Sequence, residues 1–187
     1  AALGIAVICG WTAWSAAQRA ELARVEAWAP QILVAARLSQ LDPFLLAGLV
    51  YAESRGRADA VSSVGARGLC QLKDATAEEM ADKLGISGEA PFPPEKNLIL
   101  GAAYLSLQIA RMGGDVDLGL LCYRLGPGRV ARELDAAGGA EAWLTKLRAT
   151  SEASPWHYCE QVRDAAERMR SRDRMKITQV WSDASGA

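Results

Sequence analysis

One stretch, Ala60 to Leu72, breaks a chain otherwise written in apolar residues at helical spacing between glycine and proline stops. Small residues with Gly65 and Gly68 interrupt any helical period there and favour short strands joined by a tight turn. The expected fold class is therefore mainly α (α+β), a helical domain carrying one small β hairpin.

The flanking segments supply the helices. From Gln18 to Ala29, Leu22, Val25 and Trp28 recur at helical spacing with Glu21, Arg24 and Glu26 between them, which reads as a stalk helix. Pro30 suits the first turn of a helix over Gln31 to Ser39, whose Ile32, Leu33, Ala36 and Leu38 leave no clean polar face. Asp42-Pro43 is an N-cap followed by proline at N1 and starts the apolar helix Phe44 to Arg55, with Gly56 as its stop. Thr76 with Glu79 reads as a capping box for a helix to about Leu84. Beyond the Gly- and Pro-rich loop 85–94, Asn97 reads as the cap of a helix through Met112. Helices are expected over Leu118 to Leu125, ended by Gly126-Pro127-Gly128, then near Val130 to Ala136, Ala140 to Leu147 and Pro155 to about Lys176.

Charge and composition exclude several function classes. The chain has 187 residues, with 21 Lys and Arg against 22 Asp and Glu, and this balance leaves no electrostatic footprint for nucleic acid. His157 is the lone histidine, which argues against a Ser-His-Asp triad and excludes a zinc site built on two histidines. Cys9, Cys70, Cys122 and Cys159 show no paired metal-ligand spacing and read as small buried hydrophobes.

The first 17 residues carry no charge and place Trp11 and Trp14 near the edge of the run. A transmembrane anchor is expected over 1–17, at the short limit of a spanning helix of about 17 to 25 residues. Ser15-Ala16-Ala17 would also serve as a cleavage site, so a secretory signal is the rival reading. The divisions expected are anchor or signal 1–17, stalk 18–29, a catalytic domain over 30–176 and a tail 177–187.

Glu53 sits at the end of the apolar helix, with Leu46, Leu49 and Val50 on or near its face. The negative end of the helix dipole and the apolar neighbours both disfavour its charge, which raises its pKa as a general acid near neutral pH requires.

Glu53-Ser54 is followed by Ala60-Val61-Ser62 and by Gly65-Ala66-Arg67-Gly68-Leu69-Cys70-Gln71. Further on come Asn97-x-x-x-Gly101-x-x-Tyr104-Leu105 and Tyr123-Arg124-Leu125-Gly126-Pro127-Gly128. This ordered set resembles the soluble lytic transglycosylase (SLT) domain family, which shares the goose-type lysozyme fold, and the likeness covers roughly Gln31 to Met169. The family pattern runs E-S, A-V-S, G-A-x-G-L-M-Q, N-x-x-x-G-x-x-Y-L and A-Y-N-A-G-P-G. Blocks in this order and at matching separations are far more specific together than any one of them.

The resemblance implies a lysozyme-like domain that cleaves between N-acetylmuramic acid and N-acetylglucosamine and leaves 1,6-anhydro ends. Glu53 would be the single acid/base, with the substrate's own acetamido and 6-hydroxyl groups replacing a protein nucleophile. No cofactor or metal is implied. By position, Ser54 and Ser62 would line the cleft and bond the sugar, Gln71 would lie on its β wall, Tyr123 would contact Glu53 or glycan, and Tyr158 would return to the cleft late in the chain. The implied fold packs the helix of Tyr123 against that of Tyr158, bringing Cys122 near Cys159; a disulfide there is permitted but not expected.

Three positions depart from the pattern: Cys70 for Met, Arg124 for Asn, and Leu125 for Ala. Arg124 matters most. Reaching Glu53, it would lower that pKa and weaken the acid; pointing outward, it would hold a muramyl peptide carboxylate or simply be solvated on the helix surface. The alternatives to a lytic transglycosylase are a catalytically weakened glycan-binding or scaffold subunit of an envelope assembly and a hydrolytic muramidase. The partners expected are peptidoglycan strands and, through 1–17, the inner membrane, with the domain in the periplasm.

Overall fold

The computed structural model describes residues 16–150 and 154–172. Among them the elements are α1 over 16–26, α2 Ala29–Leu38, α3 Pro43–Ser54, α4 Asp74–Leu84, α5 Pro94–Arg111, α6 Val116–Leu125, α7 Pro127–Ala137, α8 Ala140–Arg148 and α9 Trp156–Arg172.

The apolar helix α3 is the centre of the core, buried on several sides from Phe44 through Tyr51. Its start is the expected one: the Asp42 carboxylate accepts the Phe44 N–H at 2.8 Å, and Pro43 occupies the first turn. Helix α9 lies along it and buries Tyr158, Cys159, Val162, Ala165, Ala166 and Met169. Arg170, near the end of α9, pairs with Asp42 at the start of α3, while Tyr158 at its beginning meets Glu53 at the end of α3. The two helices are thus antiparallel. Gly48 makes their approach possible, because a Cβ there would fall 2.2 Å from the Val162 carbonyl oxygen. Helices α2 and α5 pack on one another, and α6 packs on both α5 and α9.

Helix α1 is laid against this core. Leu22 and Val25 are fully buried. The Trp28 indole donates to the Gly56 carbonyl at 3.2 Å, Arg24 donates to the Arg55 carbonyl at 3.1 Å, and the Tyr51 hydroxyl donates to Glu21 at 3.0 Å. The segment read as a stalk therefore contributes to the same hydrophobic cluster as the domain. Of the expected anchor 1–17, all but the last two residues lie outside the described residues, as does Cys9. Among the described residues no single helix is long and apolar enough to cross a membrane; α2 and α3 would pass only as a pair bent by 118°.

Three local expectations need correction. The hairpin between Ala60 and Leu72 is reduced to two isolated bridges, Val61 to Arg67 and Arg67 to Leu72. Gly65, Gly68 and Gln71 all take positive φ (79°, 78° and 47°), so successive turns consume the residues that would have extended a ladder. Helix α4 begins at Asp74 with Lys73 as its cap, two residues ahead of Thr76, so the Thr76–Glu79 box does not form; Asp74 places an anion in the first turn instead. Helix α5 opens at Pro94 and not at Asn97, because Pro94 supplies the helical φ at a position that needs no N–H partner.

Asn97 is left one turn inside α5, buried, where it ties the turn to the helix. Its carbonyl oxygen accepts the Cys70 N–H at 2.9 Å and its amide donates to the Arg67 carbonyl at 3.2 Å. Asn97→Leu should cost about 1 to 3 kcal/mol by stranding that buried Cys70 donor. Urea denaturation checks this, with a lowered midpoint and an unchanged slope expected. Cys70, Cys122 and Cys159 are buried free thiols, the latter two on the packed helices α6 and α9.

Candidate active site

Helix α3 delivers a carboxylate to its own end and then stops sharply, with Arg55 at φ 55° and Gly56 at φ 75°. Only 6% of the Glu53 side chain is exposed. One carboxylate oxygen accepts the Tyr158 hydroxyl at 2.6 Å, and the other lies 3.9 Å from an Arg124 guanidinium nitrogen. Burial raises the Glu53 pKa, while the Tyr158 hydrogen bond and the Arg124 charge both pull it down. Burial wins, because Arg124 is half in water, with 56% of its side chain exposed, and its field is screened. The group is therefore biased toward the protonated form, in agreement with the sequence reading. Tyr158 keeps its proton, since burial and the neighbouring Glu53 push its pKa well above the ordinary value.

Glu53 opens into a cavity of about 550 Å³. Ser62 and Gln71 come to it from the 60–72 turn, Lys73 and Thr76 from the start of α4, Tyr104 from α5, and Tyr123 and Arg124 from α6. Among the described residues no other Asp or Glu lines it. A separate hollow of about 390 Å³ lies against the other side of the turn, but it excludes Glu53, and its Arg67 and Asp74 pair with one another at 3.4 Å.

The residues expected from the sequence divide into three groups. Glu53, Ser62, Gln71, Tyr123 and Arg124 share the cavity. Ser62 uses its oxygen to accept the Ala66 N–H at 3.0 Å, which keeps the hydroxyl hydrogen for a ligand. Gln71 spends its amide hydrogens on the Ala60 and Gly68 carbonyls, both at 3.0 Å, which fixes the side chain and leaves its oxygen as an acceptor. The Tyr123 hydroxyl goes to the Cys70 carbonyl at 2.7 Å and not to Glu53, so Tyr123 is a wall and a prop.

Tyr158 forms the second group. It is buried and stands behind Glu53 outside the cavity lining, so its partner is the acid and not the ligand. Arg124 lies over its ring at 5.4 Å. Ser54 is the third: only 1% of it is exposed, and its hydroxyl donates back to the Val50 carbonyl at 3.1 Å. The assignment of Ser54 as a sugar contact is withdrawn, since a serine in a final helical turn satisfies itself on the carbonyl four residues back.

Tyr104, Lys73 and Thr76 were missed as lining residues. Tyr104 stood in the block that opens at Asn97, at helical spacing from Gly101, and its ring meets that of Tyr123 at 5.2 Å and 58°. Gly101 itself marks a close approach: a Cβ there would lie 2.4 Å from the Cys70 Cβ. Nothing in the sequence around Lys73 and Thr76 announced a cleft wall.

Comparison with known proteins gives one domain family and several relatives. The transglycosylase SLT domain model matches residues 31–146. A protein named "Transglycosylase" from Enterobacteria phage PRD1 is 40% identical over 99 residues, which are 53% of this chain and 35% of the phage protein. Among solved structures, an inactive mutant of the lytic transglycosylase Slt from Pseudomonas aeruginosa superposes with a TM-score of 0.64 at 29% identity, covering 73% of this chain and 23% of that one. The 70 kDa soluble lytic transglycosylase from Escherichia coli gives 0.55 at 25% identity, covering 67% of this chain and 21% of that one. The chain thus spans about a third or less of the length of these proteins.

Proposed function

This chain belongs to the transglycosylase SLT domain family, and from that premise we propose that it cleaves the β-1,4 linkage between N-acetylmuramic acid and N-acetylglucosamine in peptidoglycan, leaving 1,6-anhydromuramic ends. The observation that carries the reading is the isolation of Glu53: one buried carboxyl, held by a hydroxyl, in a cavity that no second carboxylate lines among the described residues. The two-carboxylate schemes of glycoside hydrolysis require a partner about 5 to 9.5 Å away as nucleophile or base. With none in the lining among the described residues, a nucleophile supplied by the substrate itself is the reading that fits best.

The steps balance on Glu53 alone. Its carboxylic acid gives a proton to the glycosidic oxygen as the bond from C1 breaks, and N-acetylglucosamine leaves with a free 4-hydroxyl. The muramyl acetamido oxygen holds C1 in the interval. Glu53, now a carboxylate, takes the proton from the 6-hydroxyl as that oxygen bonds to C1 and releases the acetamido group. Tyr158 aims the carboxyl through both halves and steadies the carboxylate between them. Digestion of purified sacculi with mass spectrometry of the products tests the proposal: anhydromuropeptides one water lighter than reducing-end products are expected. Reducing-end muramic acid would transfer the assignment to a hydrolytic muramidase, and binding without cleavage would transfer it to a scaffold. The substrate assigns the work to the cell envelope, with the domain facing the periplasm and residues 1–17 as inner-membrane anchor or secretion signal.

Tyr158→Phe gives a pH prediction. The hydroxyl stabilises the charged form of Glu53, so its removal raises the pKa of the acid further. Activity needs Glu53 protonated and falls as pH rises through that value; the alkaline limb of the pH–rate profile should therefore move to higher pH. Arg124→Asn should move it in the same direction, and added salt should mimic that shift in the wild type. Initial rates across a buffer series measure all three.

A further inference from the structure

We infer that Arg124 and Lys73 make this cleft select glycan whose stem peptides carry free carboxylates, so that the acidic peptide is read together with the sugar. The inference rests on the peptidoglycan reading above and deepens it.

The side chains in the cavity lining that carry formal charge are Glu53, Lys73 and Arg124. Lys73 is exposed at the cap of α4, makes no capping bond there, and enters none of the ion pairs among the described residues. A cation at a helix N-terminus opposes the macrodipole, so the helix gains nothing from it. Arg124 suits the C-terminal turn of α6, but that does not explain why it leans over the Tyr158 ring toward Glu53. Its ion-pair partner among the described residues is Glu53 at 3.9 Å, beyond direct hydrogen-bonding distance.

The working state sharpens the mismatch. Glu53 must be protonated to act as acid, and in that state Arg124 loses the anion that it pairs with among the described residues. The cleft then presents two cations and no compensating charge. The alternating N-acetyl sugars are neutral apart from the lactyl arm of muramic acid, which is either a bare carboxylate or the root of the stem peptide. A stem peptide carries carboxylates off the muramyl ring, and a half-exposed guanidinium can bind a carboxylate in a fork. An anion seated there also draws the Arg124 charge away from Glu53 and leaves the acid easier to protonate.

The experiment compares soluble muramyl fragments of one length in three forms: stem peptides with free carboxylates, the same peptides amidated, and peptide-free strands with the bare lactyl carboxylate. Wild-type protein should favour the free-carboxylate form over the amidated one by about tenfold in kcat/KM, mostly through KM, since partly exposed ion pairs are each worth a few-fold and two of them multiply. The preference should shrink as salt rises and collapse toward unity in the Arg124→Asn, Lys73→Met double variant. Calorimetric binding of the three fragments to the Glu53→Gln protein gives the same comparison without turnover. Equal treatment of free and amidated peptides, or a preference that survives the double substitution, overturns the inference and leaves the proposed reaction standing. A preference for peptide-free strands overturns the peptide as the source of the carboxylate. Failure of the wild type to cut any form, with binding still selective, sinks the reaction and keeps the inference.

Discussion

Glu53→Gln should leave a folded, glycan-binding protein that releases almost no product. General acid–base catalysis contributes about 10² to 10⁴ in rate, and here the same residue serves both halves of the reaction with no nucleophile behind it. The loss should therefore reach at least that range at every pH. Glutamine keeps the shape and can still accept the Tyr158 hydrogen bond, so binding and fold survive while proton transfer does not.

The same substitution has a stability signature of opposite sign. The folded-state pKa of Glu53 is raised from 4.5, so its contribution to stability is complete below 4.5 and is lost as pH rises through the folded value. Glutamine carries no proton to lose. The variant should melt above the wild type at neutral pH, and the gap should close below about pH 4.5, where both side chains are neutral. Melting curves read against pH measure it, and a variant less stable than wild type at neutral pH would refute the buried, charge-averse setting of Glu53.

Gly48→Ala should be the most destabilising single-methyl change in the core. The added Cβ would sit 2.2 Å from the Val162 carbonyl oxygen and 3.2 Å from the Ala166 Cβ. A backbone oxygen on a helix cannot swing aside, so α9 must lift from α3. Overpacking of a tight core typically costs about 1 to 3 kcal/mol, and the backbone partner puts this case at or beyond the upper end. Activity should fall with it even under conditions where the chain is folded, because lifting α9 carries the Tyr158 hydroxyl away from Glu53. Denaturation midpoints and turnover on the same preparation report the two effects; a stable variant with unshifted activity would mean that α3 and α9 are less closely seated.

The helices were legible because their signals are local. Asp42-Pro43 caps α3 as its residue types dictate, and Gly126-Pro127 separates α6 from α7. Glu53 was not singled out by its own helix alone, where a solvated helix-end carboxylate is the better reading; the ordered blocks that follow it in the chain marked it. The turn at 60–72 was read correctly as an interruption and wrongly as a ladder, because the balance between strand and turn was settled by Asn97 and Tyr123 reaching in from other helices. The role of α1 was hidden by its composition: Leu22, Val25 and Trp28 at helical spacing describe a helix with one apolar side, and only the packed structure shows what that side covers. Spacing also could not choose between the two directions open to Arg124, which proved to touch Glu53 while remaining half in water.

The hydrogen bond from Tyr158 to Glu53 joins positions 105 residues apart. A ribosome delivers the acid first and the hydroxyl that aims it much later, on a helix beyond the 31–146 span matched by the family model. A nascent or truncated chain lacking α9 would hold the carboxyl and most of the cleft without the group that orients the proton. The carboxyl and the hydroxyl that aims it thus meet only once α9 has been made and seated on α3, so the proposed proton transfer waits on the docking of two helices that lie far apart in the chain.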